Sequence, residues 1–142
     1  MLTVVVAAVG LAVVGLAACQ QSAGPQDPAA DPSTGATAAD QRYPDVLDAV
    51  VTCEGETCDV EVTISSPYDT AQRYADGWRV STPDGEVLGE HTLTHDHASE
   101  QPFTRTQRGL EIPDDVGSIV VQGRDQEFGF GGRTVTVPVP DR

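Results

Sequence analysis

The chain has 142 residues, with 22 Asp and Glu set against 8 basic residues, for a formal net charge of −14 and a pI near 4.2. All eight bases are Arg. Such an acidic balance excludes nucleic acid held through a basic footprint and adhesion to anionic lipid by charge, while it favours solubility and an attraction for cations.

Residues 2–18 form an uncharged run of Val, Ala, Leu and Gly that reads as the apolar region of a secretory signal, closed by Leu16-Ala17-Ala18-Cys19. That tetrad is similar to the lipobox of bacterial lipoproteins, in which a branched apolar residue and two small residues precede a cysteine. The resemblance implies diacylglycerol on Cys19, cleavage between Ala18 and Cys19, and an extracytoplasmic protein anchored to the bacterial cell membrane. A transmembrane anchor is the alternative, because about 18 apolar residues is the lower edge of a bilayer span. Gly10 and Gly15 interrupt the run, and Gln20-Gln21 supply no stop-transfer charge. No Lys or Arg precedes the run, so a start codon upstream of Met1 is expected.

From residue 19 to 42 the chain is Pro-, Ala- and Gln-rich, with Pro25, Pro28, Pro32 and Gly35 and no apolar periodicity. It offers too little hydrophobic surface to offset ordering entropy, which predicts a disordered tether after the lipidated cysteine. Residues 43–142 then make one domain.

Within that domain Val46–Cys53 reads as a first strand, and Asp59–Ser65 alternates clearly, with Val60, Val62 and Ile64 on one face. Cys53 and Cys58 flank a four-residue loop containing Gly55, so a hairpin brings them within reach of a disulfide. With Cys19 assigned to lipid and the domain exported, these two cysteines are expected to pair. Further strands are predicted at Gly77–Thr82, Glu86–His91, Pro102–Arg108, Gly117–Arg124 and Arg133–Val139. Pro83-Asp84-Gly85 forms the turn between the third and fourth, and Tyr68–Asp76 leaves room for one short helical turn. About seven short strands without helical periodicity predict an all-β, antiparallel β-sandwich of immunoglobulin or fibronectin III style, with a small barrel as the alternative. Trp78 is expected in its core.

Every histidine lies in His91-Thr92-Leu93-Thr94-His95-Asp96-His97, and Glu100 follows. On an extended backbone His91, His95 and His97 share a parity, and imidazole nitrogens suit Cu or Zn. Leu93 shares that parity too, which points the same face at the core. A bend near His95 would instead release His95 and His97 into a loop. The spacing matches no zinc motif, so metal binding and a structural loop both stay open.

The segment from Ser65-Ser66-Pro67-Tyr68 onward is similar to small bacterial envelope proteins of unassigned function. Trp78, Pro83-Asp84-Gly85, His95-x-His97, Glu100-Gln101-Pro102-Phe103-Thr104-Arg105 and a terminal Gly-Gly before alternating valines carry that likeness, which implies no particular activity. Gly129-Phe130-Gly131-Gly132 is read as the turn between the last two strands, since no helix and no Lys follow it as a phosphate loop needs. Phe128 and Phe130 at its tip are candidate contacts for an envelope protein partner. Asp125, Glu127, Asp114 and Asp115 are read as solvated loop acids, because they form no EF-hand pattern.

Neither a G-x-S-x-G elbow nor a supportable triad spacing is present, so no catalytic residue is assigned and a non-enzymatic role is expected. Two functions follow: a lipid-anchored binding or structural domain facing an envelope partner, or a Cu- or Zn-binding lipoprotein using His91, His95, His97 and Glu100.

Overall fold

A computed structural model describes residues 41–142. The expected signal segment 1–18, its membrane-span alternative, the lipidation site Cys19 and the tether up to residue 40 lie outside the described residues.

Eight strands follow in chain order: β1 (Asp45–Glu54), β2 (Thr57–Ser65), β3 (Ala75–Ser81), β4 (Val87–Thr92), β5 (Phe103–Glu111), β6 (Ser118–Asp125), β7 (Gly129–Phe130) and β8 (Val135–Pro138). They form two antiparallel sheets, β1-β2-β5 and β4-β3-β6, with β7 and β8 both pairing with β6. Leaving out the two-residue β7, the orders β1-β2-β5 and β4-β3-β6-β8 are consistent with an immunoglobulin- or fibronectin III-like sandwich. There, first, second and fifth strands face a sheet built on the third and sixth.

The alternation read from β2 places Val60, Val62 and Ile64 fully inside. Opposite them, β3 and β6 contribute Trp78, Val80, Ile119 and Val121, all fully buried. Outward positions of β3 and β6 are polar: Arg79 donates to Gln122 Oε1 at 2.6 and 3.1 Å, and Arg124 reaches Asp76 Oδ1 at 2.8 Å. Hydrophobic burial on one face and paired polar groups on the other is what period-two patterning specifies.

The mixed pattern of β1 has a local cause. Its pairing with β2 shifts between Val46 and Asp48, so Leu47 is spent on a bulge and the inward residues change from Val46 to Ala49. The same strand also touches the second sheet, through Val46 N donating to Arg133 O at 2.9 Å and Arg133 N donating to Asp45 Oδ1 at 2.8 Å. Cys53 and Cys58 are opposite each other in the β1–β2 register and are disulfide-bonded.

Two expectations are corrected. The stretch 129–132 is not a plain turn: Gly129–Phe130 forms β7 on β6, and the chain then passes Tyr43 and Pro44 before β8. Gly132 has φ +79° and a Cβ there would collide with the Pro44 carbonyl oxygen, so glycine is demanded by that crossing. Tyr68–Asp76 is a pair of non-helical turns joined by a Thr70–Arg73 bridge. The predicted turn at Pro83–Gly85 closes as a tight loop, with Gly85 N donating to Thr82 O at 3.0 Å and Gly85 at φ +94°.

Candidate metal centre

β4 ends at Thr92, and the following segment crosses from one sheet to the other before β5 opens at Phe103. Leu93 is the last residue tied to β3: its N donates to Asp76 O at 2.8 Å and its side chain is buried. Beyond it the chain bends, and His95 turns to solvent while His97 is buried to 1% exposure.

The backbone at His97 is fastened by side chains from elsewhere. The buried Asp69 carboxylate accepts from Ala75 N at 3.0 Å and from His97 N at 3.1 Å, locking this crossing to the β2–β3 connection. The carbonyl of His97 accepts from Glu100 N at 3.0 Å and from Gln101 Nε2 at 3.2 Å. Gln101 is itself clamped to Ser66, whose N donates to Gln101 Oε1 at 2.7 Å.

The His97 ring lies flat on Phe103, with centroids 3.9 Å apart and planes 12° from parallel, and the His95 ring sits 4.7 Å away at 33°. Neither Nδ1 nor Nε2 of His97 has a protein hydrogen-bond partner, although both are buried. Buried ring nitrogens are normally paired, so these two stand out. One ligand atom from each of His95, His97 and Glu100 lies within 4.8 Å of the others. Burial lowers the pKa of His97, the Arg105 guanidinium and His95 lower it further, and Glu100 and Asp69 oppose them. His97 is therefore held as neutral imidazole, the form that offers a lone pair to a metal.

Donors around a tetrahedral ion at about 2.0–2.1 Å stand roughly 3.4 Å apart, so no pair in the cluster needs to contract by more than about 1.4 Å. His95 and Glu100 are exposed and can swing in, while the stacked His97 stays as the fixed point. Two imidazoles and a carboxylate with an open fourth position suit zinc or copper rather than an oxygen-seeking ion.

His91 does not join this cluster. It pairs with Trp78 across β3–β4, and its ring stacks on the indole at 4.2 Å and 26°. Strand parity did point it inward, but the bend after Leu93 separates it from His95 and His97. Trp78 is a core residue whose Nε1 donates to Gln107 Oε1 at 3.0 Å.

Phe128 and Phe130 are not a bare apolar tip. Phe128 is 40% exposed, with the guanidinium carbons of Arg73 and Arg42 at 4.8 and 5.5 Å from its ring centre. Phe130 is half-buried between Arg79 and Arg124, at 4.5 and 5.6 Å. Asp125 is not solvated either: its fully buried carboxylate takes Arg73 Nε at 3.2 Å and the N–H groups of Glu127 and Phe128, both at 2.9 Å. Sequence reasoning missed Asp69, Gln101 and Arg105 as organisers of the site: Asp69 acts from the β2–β3 connection, Gln101 through its link to Ser66, and Arg105 from β5. The Glu100–Arg105 run was the one signal that could have pointed to two of them.

No protein-family model matches the chain, and no solved structure matches it. It is similar to an archaeal protein of Halomicrobium mukohataei named "Putative lipoprotein", with 36% identity over 99 residues, covering 69% of this chain and 48% of the relative. The chain thus spans about half the length of that relative. The likeness is therefore to a lipoprotein name in an archaeon, without the bacterial restriction expected from the lipobox.

Proposed function

We propose that this chain is a non-enzymatic, lipid-anchored extracytoplasmic β-sandwich that binds a transition-metal ion at His95, His97 and Glu100. The observation that carries the metal assignment is the buried His97 ring, unpaired at both nitrogens and within reach of two further ligands. The Leu16-Ala17-Ala18-Cys19 tetrad and the name of the archaeal relative support the anchor. The acidic surface raises the local concentration of cations and so assists capture.

Thermal unfolding of the metal-free full chain tests the binding. Zn²⁺ or Cu²⁺ at a hundredfold excess over Kd is expected to stabilise it by about 2.7 kcal/mol, and His95→Ala to abolish that gain. Equal shifts in wild type and variant would end the metal reading. For the anchor, Cys19→Ala should move the protein from the membrane fraction to the medium or leave an uncleaved precursor; identical fractionation would refute it.

A further inference from the structure

We propose that the cluster takes a divalent ion of the zinc, copper and nickel class in direct exchange for the Arg105 guanidinium, which makes Arg105 the built-in competitor that sets how tightly the ion is held. This rests on the metal reading above and adds what the ion must displace.

Sheet register delivers Arg105 to the site. On β5 it pairs with Val62, while its neighbours Phe103 and Gln107 pair with Ile64 and Val60. All of those partners, together with Phe103 and Gln107, are buried. Arg105 therefore starts from the core-facing side of a strand at the edge of its sheet. A guanidinium cannot stay in that apolar layer unpaired, so it runs out along the edge, 5.6 Å from the centre of the Phe103 ring. It ends with Nη2 2.7 Å from Glu100 Oε1. Phe103 is thus a platform shared by the His97 ring and the Arg105 head.

Charge balance decides which cation stays. As metal ligands, two imidazoles add no charge, so the set offers an ion the single negative charge of Glu100, which Arg105 already matches. Adding a doubly charged ion without removing Arg105 leaves three positive charges around one carboxylate at short range. The Glu100–Arg105 pair is also easy to open, because its side chains are 46% and 35% exposed and pairs of that kind are weakly held. The ion, by contrast, gains both imidazoles as well as the carboxylate. A lone inward charge on an edge strand also discourages edge-to-edge pairing, but that role would leave metal affinity untouched.

Isothermal titration of the full chain with ZnCl₂ at fixed salt tests the exchange, with Cys19→Ser in every arm so that its thiol takes no metal. Arg105→Gln is expected to bind Zn²⁺ about tenfold more tightly than the parent, and Arg105→Lys to stay near it. The gain should vanish when Glu100→Gln is added. CaCl₂ should give no saturable binding that depends on His95. Unchanged or weaker Zn²⁺ binding in Arg105→Gln, with His95→Ala still abolishing binding, overturns the exchange and leaves the metal site standing. Zn²⁺ binding indifferent to both His95→Ala and His97→Phe overturns the site itself. Should Arg105→Gln not fold, the Arg105 Nη2–H resonance of the parent chain decides. It should move toward that of an unpaired guanidinium as Zn²⁺ saturates, and its retention at the paired position contradicts the exchange.

Discussion

His97 combines a backbone held by three hydrogen bonds with a ring that stacks on Phe103 beside His95 and makes none. That combination separates its structural role from its chemical one, and His97→Phe exploits the difference. A Phe at this position keeps the stack on Phe103 and removes two buried unpaired nitrogens, so urea denaturation without metal should show stability unchanged or raised by up to about 2 kcal/mol. The same variant should lose the Zn²⁺-induced rise in Tm. A loss of several kcal/mol would mean that the nitrogens are engaged in the fold. Protonation gives a second residue-scale prediction. Burial lowers the folded-state pKa of His91, and likewise of His97, below the ordinary value of 6.5. Above that value the imidazoles are neutral in both states and contribute nothing to pH dependence. As pH falls through 6.5 the unfolded chain takes up protons that the folded chain refuses, so stability declines until the lowered folded-state values are passed. Thermal melts from pH 8 to pH 5 should show Tm falling at the acid end, with a shallower slope in His91→Phe.

At the level of strands, period-two patterning was legible wherever one face met the core and the other met water. β2, β3 and β6 are the clear cases, and their turns were marked by Pro83-Asp84-Gly85 and the Cys53–Cys58 loop. What escaped were features set by pairing across the fold. The Leu47 bulge in β1 depends on the register with β2, and β7 depends on glycines that let Tyr43 and Pro44 pass. For the site, His95, His97 and Glu100 could be named from their clustering, but a single regular strand wrongly included His91. The bend that excludes it is imposed by Asp69 and Gln101, whose contacts with His97 span 28 and 4 residues. The disulfide belongs to this scale too. It closes a loop with a sequence separation of 5, so Cys53→Ser with Cys58→Ser should cost about 2 kcal/mol in urea unfolding and leave the fold intact. Near-ultraviolet circular dichroism should retain the Trp78 signature; its loss would show that the bridge specifies more than the hairpin.

For the whole molecule the dominant fact is a net charge of −14 on a chain with no Lys. Six of the eight Arg residues are committed locally: Arg73 to Asp125, Arg79 to Gln122, Arg105 to Glu100, Arg108 to Asp59, Arg124 to Asp76 and Arg142 to Asp114. The remaining acids repel one another at low ionic strength, so Tm should rise between 0.05 and 1 M NaCl as the Debye length shrinks from about 14 to about 3 Å. A flat or falling Tm would show that the paired charges outweigh the unpaired ones. An acidic sandwich held at a membrane by its cysteine would gather cations around it and retain those that prefer nitrogen. X-ray absorption at the zinc edge of the loaded full chain, with Cys19→Ser, reads that retention directly. Two imidazoles with nitrogens at about 2.0–2.1 Å is the expected spectrum, and His97→Phe is expected to retain no zinc at this site. A shell of oxygen alone, unchanged by the substitution, would contradict a metal centre at His95, His97 and Glu100.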